Sequence, residues 1–229
     1  VTRPEKAEKA EKAEQPDDAD PRARRREDRS QLTERFPIMA TVRGPALGVL
    51  EIGTIARGVV VADAALKRAP AVLLSSRAVS GGKHLVMLEG GVAEVDEAMH
   101  AGKLAAGDLL LDRVQLAAAD DQVWPMLDAP VTPLDWSNDR AAEAVAIVET
   151  RTVCAAIAAA DAACKIAEVV VRDVRFAVDL AGKAYFTLTG SLGAIEAAAG
   201  AAKDAAGDRL VGGEVIAQPS PDLRGRLFR

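Results

Sequence analysis

Apolar and polar positions change period along the chain, and each change marks an element. Residues 46–52 (ALGVLEI) alternate and are rich in strand formers, which predicts a strand. Thr54 then offers a hydroxyl cap to a helix over 55–68, which stops ahead of Pro70. Residues 71–77 and 83–89 read as two strands joined by the turn Ser80–Gly81–Gly82, together a hairpin. Over 92–106, Val92, Val95 and Met99 fall on one face, with Glu94, Asp96, Glu97 and Lys103 on the other. That spacing predicts an amphipathic helix, closed by Gly107. A fourth strand follows over 109–116. The order is β-α-β-β-α-β, an α+β, ferredoxin-like arrangement.

The pattern then repeats. Residues 46–73 shifted by 98 positions fall on AVAIVETRTVCAAIAAADAACKIAEVVV, with 10 of 28 positions identical. Glu51 meets Glu149, Thr54 meets Thr152, Asp63 meets Asp161 and Lys67 meets Lys165. Past residue 80 the shift becomes 100, so that Gly82–Lys83 meets Gly182–Lys183 and Ala105–Asp108 meets Ala205–Asp208. The second copy therefore carries two extra residues, most economically in the turn before Gly182, where an insertion is well tolerated. Self-similarity on this scale reads as two copies of one unit. Residues 44–128 form copy one, with a short helix around Asp121–Leu127 carrying Trp124. Residues 129–143 form a Pro- and Asp-rich linker. Residues 144–229 form copy two, with a tail.

Residues 1–43 differ from the rest. EKA triplets and the run Arg24–Arg26 give a charged, nearly apolar-free stretch, expected to stay disordered because it cannot bury enough surface to offset its ordering entropy. Two starts suit the chain, Val1 through an alternative start codon, or Met39. A charged N-terminus is not a secretory signal, and no run of 18 or more apolar residues predicts a membrane span. Apolar residues make up 49%, but aromatics only 3%, so the core is built from Ala, Val, Leu and Ile. A net charge of -5 gives no basic footprint for nucleic acid. Cys154 and Cys164 fall ten positions apart on one expected helix, about 15 Å along its axis, too far for a disulfide. Free thiols suit a reducing, cytoplasmic setting.

These features together resemble the bacterial microcompartment shell domain. The resemblance rests on a first strand ending in Glu before a helix (ALGVLEIGTI, AVAIVETRTV) and a helix end of the form DAALKRA or DAACKIA. It rests also on a Gly-containing middle turn and a Gly after the third strand. Two unpermuted copies resemble the tandem, trimer-forming, pseudohexameric class in its single-layer form. The likeness covers about 44–229.

The resemblance implies a structural shell tile rather than an enzyme: a homotrimer that packs among hexameric and pentameric shell proteins, with a central pore for small metabolites. Lys67 and Lys165 correspond to the edge lysine between neighbouring tiles, although alone they read as solvated helix lysines. The usual edge partner after the last strand is not intact, since the chain reads LAAADD at 116–121 and AQPSPD at 217–222. The pore loop corresponds to Ser80, Gly81 and Gly82 in copy one, and to Asp179, Leu180, Ala181 and Gly182 in copy two. Asp179 would add negative charge there and disfavour anions.

No phosphate-binding glycine motif is present. His84 and His100 have no ligand partner at useful spacing, so no metal site is expected. With no cysteine in either loop, neither a cluster nor any other cofactor is expected. The same sequence admits a metabolite-binding regulatory module of tandem ferredoxin-like domains. An enzyme with a site between the copies is the third reading, and no convergent His, Cys or carboxylate cluster supports it.

Overall fold

The structure, a computed structural model, describes residues 44–127, 136, 139–177 and 180–224. The expected charged extension lies outside them. Copy one runs β1 (Ala46–Ile52), α1 (Ile55–Arg68), β2 (Val72–Val79), β3 (Lys83–Gly90), α2 (Val92–Ala106) and β4 (Leu110–Leu116). A short helix α3 (Val123–Met126) follows. Copy two runs β5 (Ala144–Thr150), α4 (Val153–Ile166), β6 (Val170–Phe176), β7 (Ala184–Gly190), α5 (Leu192–Ala206) and β8 (Leu210–Ala217), then a short α6 (Pro221–Arg224). The sheets are ordered β2-β3-β1-β4 and β6-β7-β5-β8, antiparallel throughout. This is the ferredoxin-like order, in both copies.

Local chemistry sets the element ends. Thr54 and Thr152 accept N–H bonds from Arg57 and Ala155 and start α1 and α4. Gly107 and Gly207, at φ 56 and 51, end α2 and α5 where a side chain would be strained. The hairpin registers place the two-residue insertion between Ala177 and Gly182, because Ala78 pairs with His84 as Phe176 pairs with Ala184. One expected core position fails: Val92 is 47% exposed. It stands at the start of α2, ahead of the first turn that meets the sheet, and Val95, Ala98, Met99, Gly102 and Ala106 form the buried stripe instead.

The two cores reach the same packing differently. In copy one, a Cβ on Gly48 would lie 2.7 Å from Met99 Sδ, one on Gly58 2.3 Å from the His84 ring, and one on Gly102 2.5 Å from Leu50. The corresponding pairs in copy two are Ala146 with Ala199, Ala156 with Ala184, and Ala202 with Val148. Glycine beside a large side chain has been exchanged for alanine beside a small one. That keeps total volume close to constant, as a close-packed interior demands.

All seven residues of β1 are buried, although its sequence alternates. One face meets α1 and α2 in a cluster with Leu50, Ile52, Val86, Leu88 and Met99. Its other face, Leu47 and Val49, joins Leu85, Met87 and Val114 in a cluster that runs into copy two.

Candidate functional site

The candidate site is the seam between the copies, because there one repeat shows how it receives another. The outer face of copy one's sheet lies in one buried cluster with Val153, Cys154, Ala156, Ile157 and Ala160 of α4. The sequence of α4 is apolar nearly all round (VCAAIAAADAACKI), the pattern of a helix buried on more than one side. That signal was available in the sequence and marks the helix as a docked one. Cys154 Sγ sits 3.6 Å from Val49 O, and burial pushes its thiol far up. Cys164, half-buried on the same helix, is pushed up to about 12 by burial and then by Asp120 and Asp161.

Polar groups fix the register of the seam. Glu51, wholly buried at the end of β1, accepts the Val153 N–H at 2.8 Å through Oε2 and caps the first turn of α4. Its Oε1 accepts from Lys83 Nζ at 2.7 Å. Burial raises the Glu51 carboxyl; the Lys83 ammonium and the Val153 bond pull it back. Lys83 Nζ also donates to Gly182 O at 3.0 Å and Arg151 O at 3.4 Å, so one cation ties together both copies. The Thr152 hydroxyl donates to the Asp112 carboxylate, and Arg209 donates to Leu111 O at 3.3 Å. Farther along, Asp161 accepts the Asp120 N–H at 2.9 Å and pairs with Lys165. The helix α3 closes this end, with the Gln122 side chain donating to Val169 O just before β6 and accepting from Val171 N on it. Thus α3 and Trp124 join the copies instead of serving copy one alone.

The sequence singles out two sets of positions. The loop residues do come together. Ser80 N–H donates to Ala177 O at 2.8 Å, a Cβ on Gly81 would stand 3.5 Å from Ala181 O, and Gly182 borders Ser80 and Lys83. Gly81, Gly82 and Gly182 take φ of 80, 71 and 85, and Ala181 takes φ 51. Leu180 precedes that strained alanine; Asp179 lies outside the described residues. Lys67 and Lys165 occupy corresponding ends of α1 and α4, each 2.6 Å from the aspartate one turn earlier. Lys165 alone adds a bond across the seam, to Ala118 O at 2.6 Å. Sequence reasoning gave Lys83 and Trp136 no role. The repeat of Glu and Lys as pairs, Glu51 with Lys83 and Glu149 with Lys183, was the signal for the first. Trp136, inside the expected linker, is buried against Val145 and lies under the Arg224 guanidinium at 5.6 Å.

Among the described residues no group of three or more His, Cys, Asp or Glu is placed to hold a metal ion, and no helix is long and apolar enough to cross a membrane. The BMC domain family matches residues 46–118 and again 144–219. The bacterial microcompartment shell protein PduT of Citrobacter freundii is 37% identical over 78% of this chain and 95% of its own. A microcompartments protein from Desulfitobacterium hafniense DCB is 33% identical with a TM-score of 0.64, over 78% of this chain and 97% of that one. A fused permuted hexameric shell protein of the RMM microcompartment shares the fold at 22% identity, with a TM-score of 0.51, over 70% of this chain and 82% of that one. The chain belongs to the BMC-domain family and is a structural shell protein of bacterial microcompartments, with two BMC domains in tandem.

Proposed function

We propose that three chains close into a flat pseudohexameric tile that carries no catalytic activity and passes small metabolites through a central pore. One observation carries the reading. The seam inside the chain joins a sheet face to a helix, so each chain keeps one helix face open and one sheet face covered only in part, by Trp136 over Val145. On α1, Ile55 and Val59 are 48% and 56% exposed, whereas their counterparts Val153 and Ile157 on α4 are fully buried. On copy two, the sheet face led by Ile147 and Tyr185 stands where Val49 and Leu85 stand in copy one. A heterologous contact of this kind either propagates or closes into a ring, and closure satisfies every edge. The pseudohexameric outline that the resemblance implies has six domains, which three chains supply, two from each.

The loops support a pore by position. Ser80, Gly81 and Gly82 lie against Ala181 and Gly182 at the seam, and ring closure would gather three such pairs, with Leu180 and Asp179, around one axis. Hydroxyls and backbone N–H groups there can replace part of a small solute's hydration. Lys67 faces outward, and Lys165 keeps an exposed half beside its bond to Ala118 O; both serve as edges toward other shell proteins in the cytoplasm.

Native mass spectrometry across a dilution series tests the closure. A species of three chain masses is the expected result; a monomer at every concentration removes the tile. Val59→Glu, which sets a charge on the exposed stripe of α1, should shift the distribution toward monomer while leaving the circular dichroism spectrum unchanged.

A further inference from the structure

We infer that the seam between chains is a different joint from the seam within a chain: Glu149 latches it by capping the N-terminus of α1 in a second copy, and it is the weaker of the two. This rests on the tile reading.

Glu149 ends β5 as Glu51 ends β1. Its Oε1 pairs with Lys183 as that of Glu51 pairs with Lys83. In copy one the second oxygen accepts the Val153 N–H. In copy two the second oxygen of Glu149 has no partner among the described residues, and the side chain is 38% exposed. The group corresponding to Val153 N–H is Ile55 N–H, at the start of the 14-residue helix α1. It is equally unpartnered among the described residues, beside the exposed Ile55 and Val59. A charged acceptor and a helix N-terminal donor thus stand open, one on each copy, in the positions already joined once inside the chain. A second copy of the chain supplies both.

Two other fasteners of the internal seam have no counterpart, whereas the Asp161–Lys165 pair has one in Asp63 and Lys67. Asp112, which accepts from Thr152, corresponds to Gly212, so the Thr54 hydroxyl meets no carboxylate. Arg209, which donates to Leu111 O, corresponds to Leu109. The apolar face is diluted as well, since Met87 and Val114 become Thr187 and Glu214. With fewer bonds and less apolar area, the latch at Glu149 carries a larger share of this joint.

Sedimentation or mass photometry of the full chain over a wide concentration range tests the assignment. Glu149→Ala should raise the concentration for half-dissociation by about tenfold per seam, the scale of one hydrogen bond to a charged group. The unfolding midpoint of the dilute monomer should fall only slightly, through loss of the partly exposed Lys183 pair. Gly212→Asp should lower the half-dissociation concentration by rebuilding the acceptor for Thr54. There is room for it, since a Cβ at Gly212 meets nothing within 4 Å. If the wild type is trimeric and Glu149→Ala dissociates at the same concentration, the latch is wrong and the tile stands. If the wild type never leaves the monomer, and Val59→Glu changes nothing, the tile itself falls.

Discussion

Gly58 and His84 show how one residue's size is written into another's. The His84 ring, Cβ and Cγ included, occupies the space a Gly58 side chain would need. Because its own Cβ lies 2.4 Å from that point, the histidine cannot swing aside. Gly58→Ala should therefore cost about 1–3 kcal/mol through overpacking. His84→Ala on top of it removes the ring but keeps the Cβ at 2.4 Å, so it should recover the ring's share of the loss and leave the rest to a small backbone shift. Urea denaturation of the two single variants and the double measures this coupling; strict additivity would refute it. His84 also gives the fold a pH dependence. Nε2 bonds to Ser76 Oγ at 2.8 Å, Nδ1 has no partner among the described residues, and burial lowers the imidazole below its ordinary 6.5. The unfolded chain then binds a proton that the native chain refuses. Stability contributed by neutral His84 is complete above 6.5 and is lost as pH falls toward the lowered native value. Denaturant midpoints at pH 7.5 and 5.5 should differ more for the wild type than for His84→Gln. Comparing the two isolates this effect from Glu51, whose burial-raised carboxyl works in the opposite direction.

At the scale of elements, α1 and α4 are one helix in two situations. Ile157 is enclosed by copy one's sheet, and Val59 faces outward. Ile157→Ala should destabilise the chain by about 2–4 kcal/mol, and Val59→Ala should leave the monomer within a few tenths of wild type, both read from chemical denaturation. Glu51→Ala, which strands Lys83 and the Val153 N–H, should cost about 3 kcal/mol. The same contrast explains what the sequence disclosed. Strands and helices were legible because Thr54, Pro70, Gly107 and the alternation of 46–52 act within a few residues. Even the insertion before Gly182 followed from two offsets. Burial of β1 on its second face was not legible, because alternation records one core and the second face is covered by a helix a hundred residues away. Trp136 escaped for the same reason: prolines and aspartates around it mark a linker, and only its packing with Ala142 and Val145 makes it core. Val92 erred the other way, an apolar residue at the right spacing but one turn ahead of the sheet.

For the whole molecule, the copies repeat in sequence but do not stand alone in energy. The largest apolar cluster mixes Leu47, Val49, Leu85 and Met87 of copy one with α3 and most of copy two's core. Separating the copies would uncover that surface, together with the Glu51–Lys83 pair and the first turn of α4. A free energy of that size exceeds what either half has to spare, since domains of this length are marginal. Residues 44–224 should therefore unfold as one cooperative unit, despite the internal repeat. Scanning calorimetry of the dilute monomer should give a single transition whose calorimetric and van't Hoff enthalpies agree. Two resolved transitions would mean that the seam is a loose contact and that each copy keeps its own core. The same logic orders the assembly. If the internal seam melts only with the fold and the outer seam opens on dilution, chain and tile come apart on separate scales. A tile can then exchange whole chains without unfolding them.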